Sequence, residues 1–360
     1  MWCMWNFRRY VIEFFNKKGD DVYLIAPLDN IYTKKFQEMG CHVYDIPLET
    51  RGINPISEIR LLYRYVHLLR EIHPDINFSF SIKPNIYLSM ASCILRYKYI
   101  PIVTGLGYSF ENRGFVCNIV KCLYKIAFKN ATEVWFLNKD NKALFIKEKL
   151  IIESITKLLP GEGVNLERFH LSPIYPYSLK FLFIGRLLRD KGVNEFVEAA
   201  RLVKLKYPLV EFCLLGGMWD DYPGAITKKE LDSWEKEGIV HYLGETSDVR
   251  SYIEKSSCIV LPSYGEGLPF SLLEGAAMGR PLIASDVSGC RDIVVDGYNG
   301  FLCKNKNYVD LANKIERFIL LPVEMRKDFG KNSRLLVESK FDVEIVIEHY
   351  NETISRVCKQ

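Results

Sequence analysis

The stretch Cys258-Ile-Val-Leu261-Pro262-Ser-Tyr-Gly-Glu266-Gly-Leu-Pro-Phe270-Ser-Leu-Leu-Glu274-Gly-Ala-Ala-Met278-Gly-Arg-Pro281 reads as a buried strand, a glycine-rich loop and a helix in direct succession. The apolar run before Pro262 is too short for a buried helix and suits a strand covered on both faces. Phe270–Met278 carries helix formers and stops at Gly279, and Pro281–Ala284 is again short and apolar. A strand that returns to its own direction through a helix is the repeating unit of a parallel sheet. Such a strand delivers Glu266 to the loop at its C-terminal edge, and Glu274, eight positions on, sits about one turn into the helix. Both carboxylates then face the crevice where open α/β sheets take ligands, and the amides of Phe270 and Ser271 at the helix N-terminus suit an anion such as a diphosphate. Alone, Glu274 reads as a solvated carboxylate favoured by the helix dipole. Its company of Glu266, Gly267, Pro269 and Gly279 favours a site.

Working outward, the same alternation fills the chain, and the class is α/β. Strands are expected at Val22–Ala26, His42–Ile46, Ile76–Phe80, Ile100–Val103, Glu133–Leu137 and Lys157–Leu159, then at Lys180–Ile184, Val210–Leu215, Ile239–Leu243, Cys258–Leu261, Pro281–Ala284 and Gly300–Cys303. Amphipathic stretches separate them, and Gly, Pro and Ser interrupt the pattern near Gly161–Pro176, which marks a domain boundary. The helix pattern starts almost at Met1, at Asn6–Lys18, so the N-terminal domain is expected to lack its first strand. Directly after Lys180–Ile184 comes Gly185-Arg186-Leu-Leu-Arg189-Asp190-Lys191-Gly192. The glycines permit a tight turn, and Arg186 and Lys191 set two cations at the mouth of the same sheet, where they would stabilise a departing diphosphate without a metal. Two surface cations in a charged loop are the plainer alternative.

The bulk numbers narrow the class. The 360 residues are 48% apolar, enough for two cores. Residues 1–164 hold 22 Lys and Arg against 16 Asp and Glu, leaving 26 against 28 for the rest of the chain's 48 and 44. That excess is too thin for a nucleic-acid footprint and compatible with contact to an anionic membrane surface. Ten cysteines lie scattered with no C-x-x-C pair, so neither a zinc site nor a redox motif is indicated, and a reducing cytoplasm is the expected compartment. No signal peptide and no apolar run long enough to span a bilayer is read.

Together, Glu266 and Glu274 in E-x7-E spacing, the Gly185/Arg186/Lys191 loop and the Gly297-Tyr-Asn-Gly300-Phe-Leu turn resemble the retaining glycosyltransferases of family 4, over nearly the whole chain. The resemblance implies the GT-B fold, two Rossmann-like domains facing across a cleft: residues 1–165 on the acceptor side, with the helix 343–357 packing back on it, and 166–342 binding the nucleotide-sugar. It implies that Arg186 and Lys191 hold the donor diphosphate, that Glu274 bonds the ribose and Glu266 the sugar hydroxyls, and that Gly185, Gly267, Leu268, Pro269 and Phe270 complete the donor cradle. No cofactor and no metal is expected, since the nucleotide-sugar, taken as UDP-linked, is a substrate. In the first half, Ser81-Ile-Lys83-Pro84-Asn85-Ile86-Tyr87 and Thr104-Gly105-Leu-Gly107-Tyr108 resemble bacterial transferases that add N-acetylhexosamines to undecaprenyl-diphosphate-linked sugars, which places Lys83, Asn85, Gly105, Gly107 and Tyr108 on the acceptor side.

That resemblance implies an enzyme of capsule, O-antigen or glycan assembly, cytoplasmic or peripheral on the inner face of the plasma membrane. A nucleotide-sugar epimerase of the same fold and a catalytically silent partner subunit stay open. Lys121, Lys125 and Lys129 recur at four-residue steps on one helix, which is either packed on the first sheet or laid on lipid.

Overall fold

The computed structural model describes residues 1–48, 54–105, 114–172, 178–219 and 222–358. The chain divides into unit 1, Met1–Gly163 with Val343–Gln360, and unit 2, Val164–Asp342.

Unit 1 runs α1 (Trp2–Lys18), β1 (Tyr23–Ile25), α2 (Tyr32–Glu38), β2 (His42–Tyr44), α3 (Pro55–Ile72), β3 (Ile76–Phe80), α4 (Ile82–Leu95), β4 (Lys98–Val103), α5 (Phe115–Ala127), β5 (Val134–Phe136), α6 (Lys139–Lys147) and β6 (Thr156–Leu158). The strands form two parallel sheets, β1-β2 and β3-β4-β5-β6. The first strand described is β1, after α1, and it pairs with β2. Local chemistry fixes the helix starts: the Asn54 side chain accepts the Ile56 amide with Pro55 in the first turn, and Asn138 caps α6 through the Asn141 amide. The helix α1 begins four residues before the expected Asn6, where Trp5 packs edge-on against Phe36. Arg8 turns inward, stacks on the Phe80 ring and pairs with buried Glu162. Burial raises the Glu162 pKa and the Arg8 guanidinium opposes that rise. The last helix, Val343–Cys358, belongs to this unit and packs Tyr350 between Trp135 and Phe78.

Unit 2 holds β7 (Lys180–Ile184), α7 (Val193–Lys206), β8 (Glu211–Leu215), α8 (Lys228–Lys236), β9 (His241–Tyr242), α9 (Arg250–Glu254), β10 (Cys258–Leu261), α10 (Phe270–Ala277), β11 (Leu282–Ser285), α11 (Cys290–Ile293), β12 (Gly300–Cys303), α12 (Tyr308–Leu320) and α13 (Val323–Lys340). Its six strands are parallel in the order β12-β11-β10-β7-β8-β9. From β7 the chain winds one way to β9, and from β10 it winds the other way to β12, so the order reverses between β7 and β10. These two strands, β7 and β10, are buried end to end apart from Lys180, which accounts for their continuous apolar sequences. The edge strand β9 is shorter than Ile239–Leu243 suggests, because it has a neighbour on one side only. The helix α8 falls in a stretch without a strong apolar period, and a capping box of Thr227 and Glu230 marks its start. Asn299 is fully buried and braces the Gly297–Gly300 turn, accepting the Val295 amide and donating to the Ile293 carbonyl.

Candidate active site

The reversal between β7 and β10 is where an open α/β sheet forms a crevice at the C-terminal ends of its strands. Both sequence clusters grow from those two ends. Gly185 and Arg186 leave β7, a short turn carries Arg189–Lys191, and Gly192 ends it with φ of 78°. A Cβ at Gly192 would lie 2.0 Å from the Pro262 carbonyl, so only glycine lets the two loops touch. The contact is fixed by the Tyr264 amide, which donates to the Asp190 carbonyl at 2.8 Å, and by the Ser263 hydroxyl, which donates to the same carbonyl at 3.2 Å.

Loops held this way bring Lys191 Nζ to 2.6 Å from Glu266 Oε1, with the side chains 18% and 13% exposed. Two charges that far from water need each other, and a ligand that entered would have to replace what each one loses. The helix α10 starts just beyond, at Phe270, with buried Pro269 as its N-cap. The Ser271 and Leu272 amides lie in its first turn, where no carbonyl four residues back can accept them. Leu268 and Pro269 are buried just ahead of this first turn. At the second close approach, a Cβ on Gly289 would lie 2.6 Å from the Gly267 carbonyl, which seats the following loop against Glu266 and Gly267.

Glu274 is half-buried in the fifth position of α10. Loss of water pushes its pKa up to about 8; the Arg168 guanidinium works against that and the Asp248 carboxylate adds to it. Arg186 is held differently, with its guanidinium carbon 5.0 Å from the centre of the Trp219 ring and 5.3 Å from that of Tyr222. Arg168, Trp219 and Tyr222 escaped the sequence reading. Arg168 is more than 100 positions from Glu274 along the chain, and a lone Trp in a loop carries no spacing signal. Cys290 is fully buried and its thiol pKa is raised by that burial, which disqualifies it as a nucleophile.

The acceptor-side residues fall out unevenly. Lys83, in the first turn of α4, pairs with Glu58 of α3. Asn85 turns into the core, where its amide donates to the Ile102 carbonyl at 2.8 Å, so it braces β4 and does not offer its side chain to solvent. Gly105 is half-buried just past β4, while Gly107 and Tyr108 lie outside the described residues. Ser81, between β3 and α4, adopts φ 65° and ψ 168°, a conformation that strains any residue with a Cβ. On α5, Lys121 pairs with Glu148 at 3.0 Å and Val120 and Leu123 pack into the core, whereas Val116, Ile119 and Ile126 stay exposed.

A doubly wound sheet with cations and carboxylates at its switch point, joined to a second α/β unit, defines an enzyme of the GT-B class. Anabaena Alr3699/HepE, solved with UDP and glucose, has this fold: TM-score 0.79 at 18% identity, over 96% of this chain and 94% of that one. The model described as glycosyl transferases group 1 matches residues 171–336, and the one described as glycosyl transferase 4-like matches 3–138. The N,N'-diacetylbacillosaminyl-diphospho-undecaprenol alpha-1,3-N-acetylgalactosaminyltransferase of Campylobacter jejuni is 31% identical over 99% of this chain and 96% of its own. The capsular polysaccharide biosynthesis glycosyltransferase CapM of Staphylococcus aureus is 26% identical over 97% and 93%. The chain belongs to this glycosyltransferase family and is a hexosyltransferase.

Proposed function

We propose that the enzyme moves an N-acetylhexosamine from a UDP-linked donor to a saccharide carried on undecaprenyl diphosphate, with retention of anomeric configuration and no bound metal, in cell-surface polysaccharide assembly. It would work on the cytoplasmic side, as a peripheral protein of the membrane that holds its acceptor. The observation that carries the reading is the Lys191–Glu266 pair at the switch point of unit 2. Arg186 and Lys191 take the donor diphosphate, the first-turn amides of α10 assist, Glu274 accepts hydrogen bonds from the ribose, and Glu266, released from Lys191, accepts them from the sugar. The acceptor oxygen bonds to the anomeric carbon on the face from which the phosphate oxygen departs, and its proton passes to that oxygen. The likeness to the Campylobacter enzyme along both chains supports the acceptor class.

Incubation with UDP-, GDP- and ADP-linked sugars and a short-chain polyprenyl-diphosphate saccharide, with the product examined by NMR, tests this. Transfer from a UDP-N-acetylhexosamine with the donor's anomeric configuration, unchanged by EDTA, is the expected result. An inverted product, or activity that EDTA abolishes and Mg²⁺ restores, overturns the mechanism; interconversion of the free nucleotide-sugar without transfer makes the chain an epimerase.

A further inference from the structure

Glu274 is the one charged residue of α10. A strap holds that helix: residues 165–172, ahead of β7 and in neither helix nor strand. Asn165 opens a single turn in it, its side-chain oxygen accepting the Arg168 amide at 2.6 Å and its carbonyl the Phe169 amide at 2.9 Å. Arg334 of α13 ties the turn to α10, its Nη1 donating to the carbonyls of Phe169 and Ala277 at 2.9 and 2.8 Å. Further along, the Ser172 amide donates to the Met278 carbonyl at 3.3 Å, and buried Arg280 donates to Ser172 Oγ at 2.7 Å. A Cβ on Gly279 would lie 2.5 Å from Leu171 Cδ1, so the end of α10 seats directly on the strap.

The turn at Arg168 lies on the crevice side. Arg250 opens α9 past the C-terminal end of β9, holds Asp248 with its guanidinium and donates Nη1 to the Arg168 carbonyl at 3.4 Å. Arg168 therefore stands at the edge of the sheet that takes ligands. Its Nε is buried without a hydrogen-bond partner, and among the described residues neither Arg168 nor Glu274 makes an ion pair. Yet the two bear on each other: the guanidinium opposes the rise that loss of water imposes on the Glu274 carboxyl, and Asp248 adds to that rise. The other charges around α10 are engaged elsewhere. Strands β10 and β11 carry none, Arg291 of α11 pairs with Asp286, Asp292 bears on Cys290, and Arg334 pairs with Glu338. A structural pair would close to contact, as Lys83 and Glu58 do; this guanidinium stands off from its carboxyl.

We propose that Arg168 is a positioning residue for Glu274, supplying the counter-charge that lets the carboxylate accept both hydroxyls of the donor ribose. The two hydroxyls donate, and an ionised carboxylate, which only accepts, satisfies both; a protonated carboxyl brings an O–H of its own into the same space. Binding thus draws the ionised form, while the incoming nucleoside displaces the water that would otherwise solvate it. Arg168 offsets that cost through its field, at a distance, and leaves the carboxylate's lone pairs to the ribose. Arg250 works to the same end by neutralising Asp248, the charge that opposes ionisation. The proposal rests on the reading that Glu274 meets the donor ribose.

The test is the pH dependence of UDP binding by the full chain, measured by titration calorimetry, with steady-state kinetics beside it. Wild-type affinity should rise with pH and level off above about 8, where Glu274 is ionised before the ligand arrives. Arg168→Leu removes the favourable charge, so the midpoint should move up by about one pH unit. At pH 7 its Kd for UDP and its KM for the donor should then rise about tenfold, with kcat within about threefold of wild type. Arg168→Lys, which keeps the charge, should recover most of the loss. Glu274→Gln should bind UDP weakly at every pH with a flat profile, and Arg168→Leu added to it should cost nothing further. An unmoved midpoint in Arg168→Leu, losses that add in the double variant, or a lowered melting temperature that Lys does not restore overturns the proposal and makes the strap structural only. Glu274→Gln that binds UDP as wild type does removes the ribose role of Glu274 itself, and the proposal falls with it; weak binding by Glu274→Gln beside an unaffected Arg168→Leu sinks the proposal alone.

Discussion

Two lysine–glutamate pairs, one in each unit, have the same side-chain exposure, 18% for the lysine and 13% for the glutamate. Lys191 and Glu266 stand on two loops at the strand-order reversal of unit 2, pressed together where Gly192 meets Pro262. Lys83 and Glu58 stand on two helices of unit 1 that already pack along their length. Equal burial of equal chemistry thus does different work. A pair on loops at a crevice can exchange its partners for a ligand's, and a pair between packed helices ties them together. Burial says that a charge needs a counter-charge, and the backbone around it says whether a ligand can take that place.

The widest separation should appear in turnover. Lys191→Met and Arg186→Ala should each lower kcat by about 10²-fold or more, the scale for losing a group that meets developing anionic charge, while Lys83→Met should stay within about tenfold of wild type. Steady-state kinetics decides this, and a Lys83 variant as dead as the Lys191 variant would erase the distinction drawn here.

Stability sharpens it next. Either lysine variant strands a largely buried carboxylate and should cost about 1–3 kcal/mol in denaturant unfolding. Adding Glu58→Gln or Glu266→Gln should recover most of that. In unit 1 the double variant should also recover turnover, and in unit 2 it should not.

The third expectation concerns Glu274, whose folded pKa is about 8 against about 4.3 in an unfolded chain. A raised folded pKa means that the native state holds the extra proton, so this group's contribution to stability is complete below about pH 4.3 and is lost as pH rises through 8. Melting temperatures of wild type should therefore fall relative to those of Glu274→Gln between pH 5 and 9. The change in stability behind that fall should be on the order of a few kcal/mol at most. Parallel pH curves would show that the carboxylate is solvated.

The smallest effect is assigned to Trp219. Its ring positions the Arg186 guanidinium by a cation–π contact worth about 0.5–2 kcal/mol, so Trp219→Leu should lower kcat by about 2- to 30-fold with little change in melting temperature. Trp219→Phe should restore most of the loss. Failure of Phe to rescue would remove the stacking account.

The sequence by itself determined the elements and their class. Lys180–Ile184, Cys258–Leu261 and Gly300–Cys303 appear as strands with the bounds their apolar runs indicate, because a strand covered on both faces reads as a near-continuous apolar run, and Ile76–Phe80 keeps its bounds although Asn77 and Ser79 interrupt it. The Glu266/Glu274 and Gly185–Gly192 clusters were legible for a related reason: spacing along a loop and its helix is set by short-range geometry. Strand order was not legible, since adjacency in a sheet depends on which crossovers pack. Only the tertiary structure set β7 beside β10, put Lys191 on Glu266 across 75 positions of chain, brought the Arg168 charge to bear on Glu274 and turned Asn85 into the core. It also decided that Ile56, Ile59 and Tyr63 face outward. Apolar periodicity marks a face to be covered, and what covers it depends on the neighbours that the rest of the chain supplies.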